Sequence, residues 1–153
     1  MELHVPNILF VSGPNLRLLG RRETHIYGTD TLEEIEGWII REAQEYSVEV
    51  HCYQSESEGE IISFLQIRGP DSDGVIINPG ALTHYSIALR DCIRYLPCPV
   101  VEVHMSNLYK REEFRRESVV TAVCDGQVTG LGKWGYYAAL RYLIEKMRAA
   151  GRL

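Results

Sequence analysis

Long apolar runs are missing from this sequence. No stretch approaches the roughly 18 residues of a membrane span. The opening MELHVPN carries neither a basic segment nor an apolar one, so no secretory leader is expected. Excess positive charge is missing too. Sixteen Lys+Arg stand against 21 Asp+Glu, giving a net charge of −5 and a pI near 5.5. That balance argues against a protein that coats nucleic acid or binds an acidic membrane. Lysine is scarce: Lys110, Lys133 and Lys146 are the only three, each in a charged or helix-surface context, so none reads as a desolvated amine nucleophile. The four cysteines, Cys52, Cys92, Cys98 and Cys124, form no Cys-x-x-Cys pair. Three of them fall in strand or helix runs, and all are expected as reduced core thiols of a cytoplasmic protein. Internal repeats, low-complexity segments and linkers are absent. The 153 residues suit one domain, 1–153, with a full hydrophobic core.

What is present is an alternation of apolar runs with helical patterns. Ile8 to Ser12 reads as a buried strand, Val48 to Gln54 as a second, Gly74 to Asn78 as a third and Val100 to His104 as a fourth. Between them, Leu32, Ile35, Ile39, Ala43 and Tyr46 recur at helical spacing, opened by Thr31 and Glu34 at capping-box distance. Ser57 and Glu60 repeat that spacing before a second helix, and Ser86 to Leu96 predicts a third, ended by Pro97 and Pro99. The charged run Lys110 to Glu117 predicts a short helix. Val119 to Val123 and Gln127 to Gly130 each have strand character. Lys133 to Ala149 predicts the last helix, with Tyr137, Leu140, Ile144 and Met147 inward. Strand–helix alternation implies a parallel sheet covered on both faces by right-handed crossovers. For five strands the common arrangement is flavodoxin-like: a doubly wound sheet of order 2-1-3-4-5 in a three-layer α/β/α sandwich.

In such sheets ligands bind beyond the carboxyl ends of the strands, where strand order reverses. The first strand runs into Gly13-Pro14-Asn15, the third into Asn78-Pro79-Gly80 and the fourth into His104-Met105-Ser106-Asn107. Three polar tips are therefore expected to line one crevice. The connection from Gly13 to Asp30 is long, without clear period, and carries Arg17, Arg21, Arg22 and Tyr27, with Gly20 and Gly28 as hinges. It reads as a lid over that crevice. Taken singly, each of these residues also has a structural reading. A histidine closing a strand is often only hydrogen-bonded structure, Asn78 before Pro79 can be a turn former, and exposed arginines are often solvated surface. Their shared end of the sheet is what gives them weight.

Gly130-Leu131-Gly132-Lys133-Trp134-Gly135 fits the G-x-G-x-x-G pattern after a strand and before a helix. No strand is expected after that helix to bring an acidic residue to a ribose, and the glycines read as close backbone packing. The remaining non-catalytic alternative is a flavodoxin-like module that holds a nucleotide or phosphate. It needs a cradle of amides after the first strand, where Pro14 removes one. Glu102 and His104 share a strand face, but no third residue stands at metal-ligand spacing, so no metal is expected.

Several long segments resemble the type II 3-dehydroquinate dehydratases: GPNLRLLGRRETHIYG at 13–28, QSESEGE at 54–60, INPGALTHYSIALRD at 77–91, VVEVHMSN at 100–107, REEFR at 111–115 and GLGKWGY at 130–136. The likeness covers nearly the whole chain. It implies a flavodoxin-like hydro-lyase of the shikimate pathway that converts 3-dehydroquinate to 3-dehydroshikimate by anti elimination of water, with no cofactor or metal. It also implies a homo-oligomer, a dodecamer built from trimers.

Residue by residue, the resemblance gives Tyr27 as the base, Arg22 as its assistant and His104 as the acid, with Glu102 orienting the histidine. Asn15 matches the residue holding a water near the enolate. Asn78, His84, Arg115 and the backbone at Met105 and Ser106 match substrate contacts, and Asp91 matches a residue that reaches the neighbouring subunit's site. The chemistry asks for these types. A free phenol ionises at about pH 10, and a guanidinium nearby favours the phenolate. Histidine moves protons near neutrality. Arg17, Thr24, Tyr85 and Tyr109 depart from the common asparagine, proline, threonine and histidine, and none is a proposed acid or base.

Overall fold

The computed structural model describes residues 3–153. Five parallel strands, β1 (Asn7–Ser12), β2 (Glu49–Gln54), β3 (Gly74–Asn78), β4 (Val100–His104) and β5 (Gly126–Thr129), form one sheet in the order β2-β1-β3-β4-β5. This is the flavodoxin-like doubly wound order expected from the alternation of elements. β3 and β4 are buried at every position, whereas β2 and β5 at the edges are only half covered. Central parallel strands lie under helices on both sides, so their residues run apolar without alternating.

A short helix α1 (Thr24–Tyr27) lies in the first long connection, followed by α2 (Leu32–Gln44), α3 (Glu58–Arg68), α4 (Ile87–Arg94) and α5 (Trp134–Ala149). Helices α2 and α5 bury Ile35, Ile39, Tyr136, Leu140 and Ile144 against Ile8, Phe10 and Ile76 on one face. Helices α3 and α4 bury Ile61, Leu65, Leu89 and Ile93 against Leu9, Val11 and Val75 on the other. Serine and threonine cap α2, α3 and α4: Thr31, Ser57 and Ser86 accept from the amides of Glu34, Glu60 and Leu89. The return half of the second capping box is diverted, because Glu60 instead accepts from the Ser55 hydroxyl.

Several local expectations are corrected. The 13–30 connection is not structureless: a 3-10 turn at Leu16–Leu18 and α1 fill it, anchored by buried Leu16 and Leu19. The run 110–117 forms no α-helix: the 3-10 turn Leu108–Lys110 ends at its first residue and a second, Glu113–Arg115, lies within it. Val119–Val123 is not a strand, since the Ser118 hydroxyl accepts the amides of Val120 and Thr121 and turns the backbone. On α5 the fully buried aromatic is Tyr136, 4.9 Å from Phe10, while Tyr137 stacks on Trp38 nearer the surface. All four cysteines are free but half-buried rather than deep in the core. A Cβ on Gly135 would meet Val103 Cγ1 at 3.1 Å, so this glycine serves close helix–sheet packing. Among the described residues no helix is long and apolar enough to cross a membrane.

Candidate active site

At the carboxyl ends of β1, β3 and β4 lies a cavity of about 110 Å³. Asn15, Arg22, Tyr27, Asn78, His84, His104, Met105, Ser106 and Arg115 all line it. Of the residues singled out from the sequence, Glu102 and Asp91 are not in its wall, nor are Arg17 and Arg21 of the first long connection. Larger depressions exist, including one of about 410 Å³ at the opposite end of the sheet beside Asp73, Lys146 and Arg152. The small cavity is the one on which the polar strand tips converge.

Tyr27, the last residue of α1, points its phenol oxygen at two guanidinium groups. Arg22 Nη2 donates to it at 3.1 Å and Arg111 Nη1 at 2.8 Å. Their planes also lie over the ring, at 4.5 and 5.4 Å from its centre. Charge-assisted donors of this kind suit an oxygen carrying negative charge. Arg111 also donates to Ser106 Oγ at 3.2 Å, which links the 13–30 connection to the tip of β4. Its role is not legible in the sequence, where it sits in a charged run that reads as solvated surface. The only available signal is its place inside the REEFR segment.

His104 ends β4, and its Nε2 lies 3.0 Å from Glu102 Oε1. Two residues apart on a strand, the side chains share a face. Glu102 is fully buried beneath the cavity. Its first oxygen also accepts from Thr83 and from Ser118 at 3.0 Å; its second accepts from Thr121, Ser118 and, at 2.8 Å, Gln127 Nε2. Burial alone would push this carboxyl up. The donors from His104, Thr121 and Thr83 outweigh it and hold Glu102 at about 2. An ionised acceptor on Nε2 requires the proton there, so Nδ1 is the ring nitrogen left for the cavity.

Asn78 is gripped from both ends: Nδ2 donates to the Tyr136 hydroxyl at 2.8 Å, and Oδ1 accepts from the Gly80 amide at 3.1 Å. One amide hydrogen and one lone pair remain for a ligand. His84 Nδ1 donates to the Glu117 carbonyl at 2.7 Å, since a carbonyl only accepts, leaving Nε2 free. Arg115 is paired with Glu112 at the rim. Asp91 is exposed on α4 and lines a different depression with Ile62, Ala88 and Tyr95.

The loop after β1 is a poor phosphate cradle. Pro14 has no amide hydrogen, the Gly13 amide donates to the Asn78 carbonyl at 2.8 Å, and the Asn15 amide donates to Glu56 at 2.8 Å. Nothing in this loop favours the nucleotide-binding alternative.

Fold and cavity together define a flavodoxin-like α/β protein whose pocket brings a doubly coordinated phenol to a carboxylate-backed imidazole. Residues 6–144 match the family model of class II dehydroquinases, and the chain belongs to that family. It is 50% identical over 137 residues to the 3-dehydroquinate dehydratase of Roseiflexus castenholzii, covering 90% of this chain and 87% of the relative. It is 49% identical over 143 residues to that of Bacillus cereus, covering 94% and 98%. The crystal structure of the type II dehydroquinase from Propionibacterium acnes superposes with a TM-score of 0.89 at 40% identity, covering 94% of this chain and 99% of that one.

Proposed function

We propose that this chain is a 3-dehydroquinate dehydratase, a hydro-lyase that forms 3-dehydroshikimate in the shikimate pathway. The observation that carries the reading is the pairing, across one small cavity, of Tyr27 held by Arg22 and Arg111 with His104 backed by buried Glu102. The substrate is a ketone with a β-hydroxyl and a carboxylate. Tyr27, as phenolate, takes the proton from the α-carbon, and that bond's electrons move onto the carbonyl oxygen as an enolate. Asn15, through a water, meets that growing charge. Collapse of the enolate breaks the C–O bond, and the doubly protonated His104 ring gives the leaving hydroxyl a proton from Nδ1, releasing water. Solvent then returns a proton to His104 and removes one from Tyr27.

Asn78 and the backbone at Met105 and Ser106 suit the carboxylate, with His84 and Arg115 at the remaining hydroxyls. Two cationic side chains on the base supply the local attraction that the net charge of −5 withholds. Closing of the 13–30 segment brings Arg22 and Tyr27 to the substrate together and excludes water.

Residues 1–153 act in this reading as one catalytic domain in the cytoplasm, a compartment that keeps free thiols such as these reduced. The working form is a homo-oligomer, a dodecamer of trimers, in which Asp91 reaches a neighbour's cavity. Its support is the position of Asp91 outside its own cavity, next to Tyr95, which is 84% exposed. Adding 3-dehydroquinate to the purified chain tests the activity through ultraviolet absorbance of the conjugated enone. A steady rise is expected; no rise at micromolar enzyme overturns the assignment.

A further inference from the structure

The entrance turn Gly13-Pro14-Asn15 lies between two strand tips, and each tip grips it differently. On the β3 side the grip is backbone. The Gly13 amide bonds the Asn78 carbonyl, and a Cβ on Gly13 would fall 2.4 Å from the Pro79 oxygen. On the β2 side the grip is made entirely by side chains. Gln54 Nε2 donates to the Gly13 carbonyl at 3.2 Å and to Glu56 Oε1 at 2.9 Å. The other Glu56 oxygen accepts the Asn15 amide at 2.8 Å. Arg17, in the 3-10 turn that begins the lid, donates from Nε and Nη2 to Gln54 Oε1 at 3.1 and 2.8 Å.

These bonds hold the turn at both its ends and fasten the root of the lid to the same glutamine. They have a conformation to enforce. Asn15 sits at φ 70°, ψ −3°, in the left-handed region, and the residue lines the cavity. Asparagine tolerates that region better than most residues, but the conformation persists only where surrounding bonds over-determine it. The bond from Glu56 is charge-assisted, the stronger kind.

We propose that Arg17, Gln54 and Glu56 are positioning residues: they set the aim of Asn15 into the cavity, and with it the stabilisation of the enolate, without touching the substrate. The proposal rests on the role given to Asn15 above. A contact made chiefly with charge that develops during reaction changes kcat and leaves KM nearly alone.

Steady-state kinetics on Glu56→Ala, Glu56→Gln, Asn15→Ala and the Asn15→Ala/Glu56→Ala double variant test it. Glu56→Ala is expected to lower kcat about tenfold, with KM within about twofold. Glu56→Gln keeps a carbonyl oxygen for the Asn15 amide and should recover most of the loss. In the Asn15→Ala background, adding Glu56→Ala should change kcat by less than about twofold. Should Asn15→Ala impair turnover while Glu56→Ala does not, or should the two losses multiply, the positioning role is overturned and Asn15 keeps its own. Normal kcat in Asn15→Ala overturns both.

Discussion

Replacing Glu102 by glutamine removes one charge and almost no volume, from a carboxylate that accepts from His104, Thr83, Ser118, Thr121 and Gln127. A carboxyl brought from 4.5 to about 2 has its charged form favoured by about 3 kcal/mol in the folded state. Because the folded value lies below the unfolded one, that stability is fully present above about pH 4.5 and is lost as pH falls towards 2. The amide of Glu102→Gln has no titration, so the variant should lack this component of acid sensitivity. Asp73 also titrates low: burial pushes it up, but bonds from the Asn7 amide, His4 and Arg152 prevail. That carboxylate is common to both proteins and cancels in the difference. Denaturant unfolding at intervals from pH 7 to pH 2.5 is the assay. Glu102→Gln should be less stable at pH 7 by about 2–3 kcal/mol, since an amide offers one acceptor oxygen to donors arranged for two. The gap should narrow through pH 4. Turnover at pH 7 should fall by about 10² or more, because the His104 ring loses the counter-charge of its doubly protonated form. A constant stability gap across the acid range would refute the claim that this carboxylate is held ionised.

Tyr27→Phe is expected to lose most of kcat, by about 10² or more, with a modest change in KM; near-normal turnover in the enone assay overturns its role as base. His104→Ala should slow turnover at every pH, and a mere displacement of the pH optimum would make His104 an orienting group instead. Arg111→Ala should lower kcat by about 10- to 100-fold, with Arg111→Lys a poor rescue, because an ammonium lacks the planar guanidinium that lies over the Tyr27 ring while its Nη1 bonds Tyr27 and Ser106. Borohydride with substrate should leave activity intact, and covalent trapping on Lys110, Lys133 or Lys146 would revive an imine route.

The sheet and its order were legible because the cues were local and redundant. Unbroken apolar runs such as GVIIN marked central strands, and Thr31 and Ser57 marked helix starts by hydroxyl chemistry that the structure uses. Segment 118–123 misled for a physical reason. Val119, Val120 and Val123 favour a strand, but Ser118 bonds the next amides and turns the backbone so that Ser118 and Thr121 both reach Glu102. A polar demand made 16 residues earlier in the chain overrides local propensity there. On α5 the expected inward residues Leu140, Ile144 and Met147 are buried and Tyr137 packs at the edge of the same core, while the fully buried Tyr136, not singled out by the spacing, meets Asn78.

The cavity divides in the same way. Residues at strand tips, Asn15, Asn78 and His104, were locatable because parallel sheets bind ligands at that edge whatever the family. Arg111 belongs to the other kind. Its neighbours Lys110, Glu112, Glu113 and Arg116 are all exposed, and nothing in the alternation of charge separates the side chains that turn inward, Arg111 and Arg115. Arg111 turns inward because no α-helix forms there. The two 3-10 turns bracket residue 111 in extended backbone, and from that position the guanidinium spans Ser106 and the Tyr27 oxygen, 84 residues away in sequence. A regular helix over 110–117 would place residue 111 by helical period instead, and the second cation on the base exists only because that helix fails.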